Sequence, residues 1–206
     1  MRESSYLKWM AENTDTRWCN DSALRDDYMN ALQYGAVGCT TNPPLSFEAL
    51  TVNTDRFQAK VDAVRSKFSG REKVIEYFRI LVPDIAAEFY PLYEKSKGKY
   101  GYVRSQVEPR LSGDADAMLT MGKTISTFAK NVMVKIPGTK AGVFVLEELA
   151  ALGIPTTPTV CVSVPQLIAT AQAYERGIAR AKKAGLPVPA TTTAFSDFIT
   201  GPNMPP

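Results

Sequence analysis

A chain of 206 residues, 45% hydrophobic and 22% charged, is large enough for one domain with a sizeable core, and its formal charge of +3 is too small and too evenly spread to imply nucleic acid or an anionic membrane. It contains no histidine, which removes Ser-His-Asp, Cys-His and HExxH chemistry, and neither GxGxxG nor GxxxxGK[ST] occurs, so nucleotide loops have no support. The cysteines Cys19, Cys39 and Cys161 form no CxxC pair and read as reduced buried thiols, and with no apolar leader or membrane-length apolar run the expectation is a soluble, cytoplasmic protein without a bound metal.

Short apolar or β-branched runs then alternate with helical patterns. The first run falls near Arg17 to Asn20 and the second at Ala36 to Thr41. From Ser46 to Lys97 there is no convincing strand but two helical patterns, the second with Val74, Ile75, Phe78 and Leu81, so helices are inserted before the next strand. That third strand is expected at Tyr102 to Glu108. Asp114 can cap a helix with Met118, Met121, Ile125 and Phe128 on one face, and Val132 to Ile136 reads as a fourth strand. Val145, Leu149 and Leu152 form the next helical stripe, ended by Gly153. Thr157 to Val162 gives a fifth strand. Ser163 and Gln166 then make a capping box, with Pro165 in the first turn of a helix carrying Ile168, Ala171 and Ile178. Residues 185–206 are a Pro- and Thr-rich tail with at most one more strand, near Thr191 to Phe195. Strand, helix, strand repetition implies a parallel sheet.

In a barrel, successive side chains of a strand face alternately the helix layer and the lumen. In NVMVKIP, the apolar set Val132, Val134 and Ile136 shares one face, leaving Met133 and Lys135 for the lumen, with Pro137 ending the strand just beyond the lysine. Lys135 therefore stands at the carboxyl end, where barrel active sites lie. Cys19 shares a parity with Asp21; Tyr102, Arg104, Gln106 and Glu108 share another; Thr157, Thr159 and Cys161 a third. An amine among apolar neighbours loses solvation of its charged form and becomes nucleophilic toward a carbonyl. Each residue also has a plain reading. Lys135 can be a paired strand-end lysine, Asp21 a helix cap, Asn42 a turn residue ahead of proline, and Gln106, Thr157 and Thr159 ordinary strand residues, with Arg104 and Glu108 in ion pairs.

Three motifs in order, GAVGCTTNPPL at Gly35 to Leu45, VMVKIPGTKAG at Val132 to Gly142 and GIPTTPTVCVS at Gly153 to Ser163, resemble the transaldolase family, with the Asp21–Ser22 pair matching its DT or DS. The similarity covers about residues 15 to 184, within a single barrel domain over 1–206 and an atypical tail at 185–206. The resemblance implies a (β/α)8-type barrel, here incomplete with five to six strands. It implies that Lys135 attacks a ketose carbonyl to form an imine, that Asp21 takes the hydroxyl proton during carbon–carbon cleavage, and that Asn42 holds the hydroxyls of the three-carbon dihydroxyacetone unit. Thr159 would position the catalytic water, and Thr41, Thr157 and Ser196 would complete the substrate site. A dihydroxyacetone unit would pass from sedoheptulose 7-phosphate or fructose 6-phosphate to an aldose phosphate, a step of the pentose phosphate pathway that needs no cofactor.

Two departures keep other readings open. Gln106 stands where the family carries a catalytic glutamate, as in the related fructose 6-phosphate aldolases, whereas the helical insertion favours transaldolase proper. The expected sixth-strand serine falls at Ser196, but no arginine follows Arg180, so no phosphate-binding residue is assigned. The readings are a transaldolase, a fructose 6-phosphate-type aldolase, and a non-catalytic truncated homologue whose open barrel edge would favour homo-oligomers.

Overall fold

The computed structural model describes residues 6–52 and 54–190. Helix α1 (Tyr6–Asn13) leads into an extended segment, α2 (Arg25–Gln33) and β1 (Gly38–Thr41). Three helices follow, α3 (Pro43–Val52), α4 (Thr54–Lys67) and α5 (Gly70–Lys95), before β2 (Tyr102–Gln106). Then come α6 (Ala115–Ser126), β3 (Val132–Pro137), α7 (Lys140–Ala151), β4 (Thr156–Thr159) and α8 (Val164–Lys183). All pairings are parallel and the order is β1-β2-β3-β4. This is an α/β architecture consistent with part of a (β/α)8 barrel.

The register divides the sheet into two faces. Cys39, Val103 and Val132 lie side by side, as do Thr41, Ser105 and Val134. Together with Ile136 this face meets the helices, and Val103, Val132, Val134 and Ile136 belong to one core with Phe78, Leu81, Ile85 and Phe89 of α5, Met118, Met121 and Ile125 of α6, and Val145 and Leu149 of α7. The alternation read from NVMVKIP is the one the fold uses. Asp114 caps α6 by accepting from the Ala117 N–H at 2.9 Å. Thr139 caps α7, its Oγ1 accepting from Gly142 N at 3.0 Å and donating to the Ser112 carbonyl at 2.6 Å, which ties the loop after β3 to the loop after β2.

Five expectations are corrected. The first strand, near Arg17 to Asn20, shrinks to a single bridge between Asn20 and Cys39, because the chain turns at once and the Asn20 Nδ2 donates to Ser22 O at 2.7 Å. Four strands and this bridge therefore stand, among the described residues, where five to six strands were expected; Thr191 to Phe195 and Ser196 lie outside them. The third strand stops at Gln106, before Glu108. The fifth stops at Thr159, because Val160 adopts φ +56°, a left-handed conformation that a β-branched residue rarely takes. On α8 the stripe of Ile168, Ala171 and Ile178 is not the buried one: Ile168 is 52% exposed, and Thr170, Ala173, Gly177 and Ala181 are buried instead. Gly177 explains the choice, since a Cβ there would sit 2.5 Å from Glu147 O and 2.6 Å from Ala150 Cβ, so α7 and α8 approach nearly backbone to backbone. Likewise Leu152, at the end of the α7 stripe, is 46% exposed while Val145 and Leu149 are fully buried.

Candidate active site

Lys135 lies on β3, only 7% exposed, with Gln106 of β2 and Thr157 of β4 its partners in register on either side. Neighbouring parallel strands are ~4.8 Å apart, so these three side chains leave the sheet on the same face at one level. An amide, the amine and a threonine hydroxyl thus share one row near the carboxyl ends, and Asn42 follows directly on Thr41, where β1 ends beside Ser105. Thr159, 1% exposed, stands one level further on beside Pro137, and Gly138 N donates to Thr159 O at 2.7 Å. The strained Val160 follows directly.

The plain reading of Asn42, a turn residue ahead of proline, is the one its contacts display. Its Oδ1 accepts from the Leu45 N–H at 2.9 Å and so caps the first turn of α3, where Pro43 and Pro44 need no N–H partner. With the oxygen committed, the Nδ2 hydrogens are the group the residue can offer to a ligand oxygen. Thr41 differs from its motif neighbours. It is 1% exposed on the helix-facing side, and its Oγ1 donates to Arg104 O at 3.0 Å, so it joins β1 to β2 and does not share the row of Lys135.

Below that row lie Thr40, Arg104 and Met133. Arg104 is 4% exposed, and its Nη1 donates to the Cys19 Sγ at 3.2 Å, passing over Gly38, where any Cβ would lie 2.8 Å from that nitrogen. The thiol of Cys39, on the opposite face, is pushed up to about 12 by burial. Glu108 is drawn away from the row: its carboxylate faces Arg71 at 4.0 Å and Arg110 at 3.9 Å, beyond the end of β2. Glu108 thus takes the ion pairs expected of it, beyond the end of β2, whereas Arg104 points to Cys19.

Asp21 is exposed and does not cap α2. That helix begins at Arg25, and Ser22 supplies the turn, accepting from Leu24 N at 3.2 Å and donating to Asp27 at 2.7 Å. Among the described residues the Asp21 carboxylate makes no hydrogen bond or ion pair. It follows Asn20 at the edge beyond β1, three strand spacings from β3, or about 14 Å along the sheet. The register thus brings Gln106, Lys135 and Thr157 together and places Thr159 next to them, with Asn42 just past the end of β1, but it does not by itself join Asp21 to the group. Thr40 was missed by motif reading. It is 4% exposed on the lumen face, with an Oγ1 that has no hydrogen-bond partner among the described residues, and only its parity with Asn42 signals it.

Comparison with known proteins matches residues 18–198 to the model of the Transaldolase/Fructose-6-phosphate aldolase family. Among curated relatives, a transaldolase of Neisseria gonorrhoeae is 30% identical over 175 residues, 82% of this chain and 49% of that protein. A transaldolase of Campylobacter jejuni is also 30% identical over 175 residues, 81% of this chain and 51% of that protein. One from Thiobacillus denitrificans is 29% identical over 171 residues, 81% of this chain and 47% of that protein. The chain spans about half the length of the curated relatives it matches.

Proposed function

The chain belongs to the transaldolase/fructose-6-phosphate aldolase family, and from that premise we propose that it transfers a dihydroxyacetone unit from a ketose phosphate to an aldose phosphate through an imine on Lys135. The observation that carries this reading is the buried amine of β3 flanked in register by Gln106 and Thr157. The uncharged amine adds to the ketose carbonyl, and the carbinolamine loses water to give a protonated imine. Asp21 takes the proton of the hydroxyl on the carbon beyond the bond to be broken. The electron pair of the C–C bond then moves into the imine, releasing an aldose and leaving an enamine, with Asn42 holding the hydroxyls of the retained three-carbon unit. Capture of a second aldehyde and hydrolysis return the free lysine. No metal or organic cofactor has a step in this sequence.

A second reading rests on Gln106. The resemblance to the fructose 6-phosphate aldolases places glutamine at this point, so reversible aldol cleavage of fructose 6-phosphate, with free dihydroxyacetone as product, competes with transfer. The central assignment is tested by incubating the protein with fructose 6-phosphate or dihydroxyacetone, reducing with borohydride and mapping the adduct by peptide mass. The expected result is one adduct, on Lys135, absent from Lys135→Met. An adduct on another lysine, or one surviving in the variant, removes the assignment.

A further inference from the structure

Gln166 is half-buried in the first turn of α8, three residues after the capping Ser163. In a capping box the side chain at this position turns back to the N–H at the helix start, a task for its oxygen alone. Its oxygen does serve that end of the helix, accepting from Val162 N and from the Ser163 hydroxyl, both at 3.1 Å. The amide nitrogen goes elsewhere: Nε2 donates to Gly138 O, in the loop after β3, at 3.0 Å. Capping of α8 has no use for that donor.

Gly138 is the third residue after Lys135, and its N–H donates to Thr159 O at 2.7 Å, so both polar groups of this glycine are held by the segment that joins β4 to α8. The two loops touch: any Cβ on Gly138 would meet the Cys161 Sγ at 2.6 Å. Between the attachments at Thr159 and Val162 lies Val160 at φ +56°, a conformation that its own side chain opposes and that its surroundings must impose. Gln166 grips the chain on the far side of that turn, through Val162 N.

We propose that Gln166 is a positioning residue for the reaction on Lys135: its amide bridges the loops after β3 and β4 and holds Thr159, the residue to which the family resemblance gives the catalytic water, at a fixed place relative to the lysine. The inference rests on that reading of Lys135. Thr159 pairs with Pro137, two residues beyond the lysine on the adjacent strand, so a shift of the β4 end moves the water site and leaves the lysine where it is.

Gln166→Glu separates this role from capping. Glutamate serves a capping box as well as glutamine does, and its charge suits a helix N-terminus, so the thermal midpoint should equal or exceed that of the parent. The donor to Gly138 O is lost, however, and an anion faces that carbonyl. The measurement is the rate of borohydride-trapped adduct formation on Lys135 at varied dihydroxyacetone, followed across pH. At neutral pH the saturating rate should fall about ten-fold, since a misplacement of 1 Å can cost up to ~10², with the half-saturating concentration unchanged within about two-fold. As pH falls to ~4.3, where half of an ordinary glutamate is protonated and able to donate again, the deficit should shrink to about two-fold. Trapping at the parent's rate, a deficit that does not change with pH, or a deficit accompanied by a lower thermal midpoint overturns the proposal. A parent that forms no adduct on Lys135 removes the reaction and this role with it, whereas a parent that traps and a variant that equals it removes this role alone.

Discussion

Replacing Gln106 by glutamate puts a carboxylate level with Lys135 on the adjacent strand. At ~5 Å, opposite unit charges in a medium of effective dielectric ~20 attract by about 3 kcal/mol. Gln106 is half-buried, so solvent screens much of this, and about 1 kcal/mol survives. An opposite charge favours the ammonium form of the lysine, so the reactive amine is present only at higher pH, and the midpoint of imine formation moves up by somewhat less than ~1 pH unit. Against that loss, the carboxylate can take a proton from water and speed the passage between carbinolamine and imine, for which general-base terms of 10²–10⁴ are typical. Gln106→Glu is therefore expected to show an alkaline-shifted profile, at least ~10-fold faster imine turnover above the midpoint, and a lower ratio of transferred to free dihydroxyacetone, because activated water also hydrolyses the imine. Borohydride trapping in a quenched-flow series across pH, beside product analysis with fructose 6-phosphate and an acceptor aldose, reads all three. Unchanged pH profile and unchanged trapping rate would mean that position 106 does not face the lysine, and the row would have to be redrawn.

Asn131→Ala should destabilise the fold by about 2–3 kcal/mol in urea unfolding, because the buried Nδ2 donates to Ala86 O at 2.9 Å and Gly101 O at 2.8 Å, and both carbonyls lose that partner; a change below ~0.5 kcal/mol would remove its role in joining α5 to the sheet. The Cys39 thiol has an ordinary value of 9.0 and is raised to about 12 in the fold, so the folded state keeps a proton that the unfolded chain releases. Stability from this group is complete below pH 9 and falls as pH rises toward 12, by about 1.4 kcal/mol per unit. Cys39→Ala should flatten that alkaline decline in denaturant titrations, while an unaltered slope would show that other groups set it.

The parallel order, the helix starts at Asp114 and Ser163, and the division of VMVKIP into two faces follow from local rules, and the sequence expresses them because β-branched residues pack the helix side. Thr41 shows the limit of motif reading: TTNP places three polar residues together, yet alternation sends Thr40 and Asn42 to one face and Thr41 to the other. The buried face of α8 was illegible for a different reason. Hydrophobicity points to Ile168 and Ile178, but what decides is how closely two backbones approach, and that favours Ala173, Gly177 and Ala181, whose side chains carry little hydrophobic signal. The end of β4 was hidden because Val160 adopts a φ that its own propensity opposes, so only the surroundings can impose it.

In the proposed reaction, formation of the imine and cleavage of the carbon–carbon bond would draw on different parts of the chain. The lysine row is built on three paired strands, whereas the proposed base, Asp21, depends on one bridge with the hydrogen bonds Asn20 N to Gly38 O and Thr40 N to Asn20 O, both 2.9 Å. What fixes the direction of Asp21 is the Asn20 side chain, whose Nδ2 spans it to reach Ser22 O at 2.7 Å. Asn20 is then a positioning residue. Asn20→Ala keeps both backbone bonds but frees the turn, and a base displaced by even 1 Å can lose ~10² in rate. Asp21→Asn, which removes the base itself, should lose a factor of ~10² or more in cleavage. Both variants are expected to trap dihydroxyacetone on Lys135 at the normal rate, because neither substitution touches the row of Gln106, Lys135 and Thr157. The expected separation is therefore normal trapping with depressed release of aldose from fructose 6-phosphate, at a thermal midpoint close to that of the parent. Equal loss of trapping and cleavage in Asp21→Asn would assign Asp21 to structure, and full cleavage in Asn20→Ala would show that the turn does not aim the carboxylate.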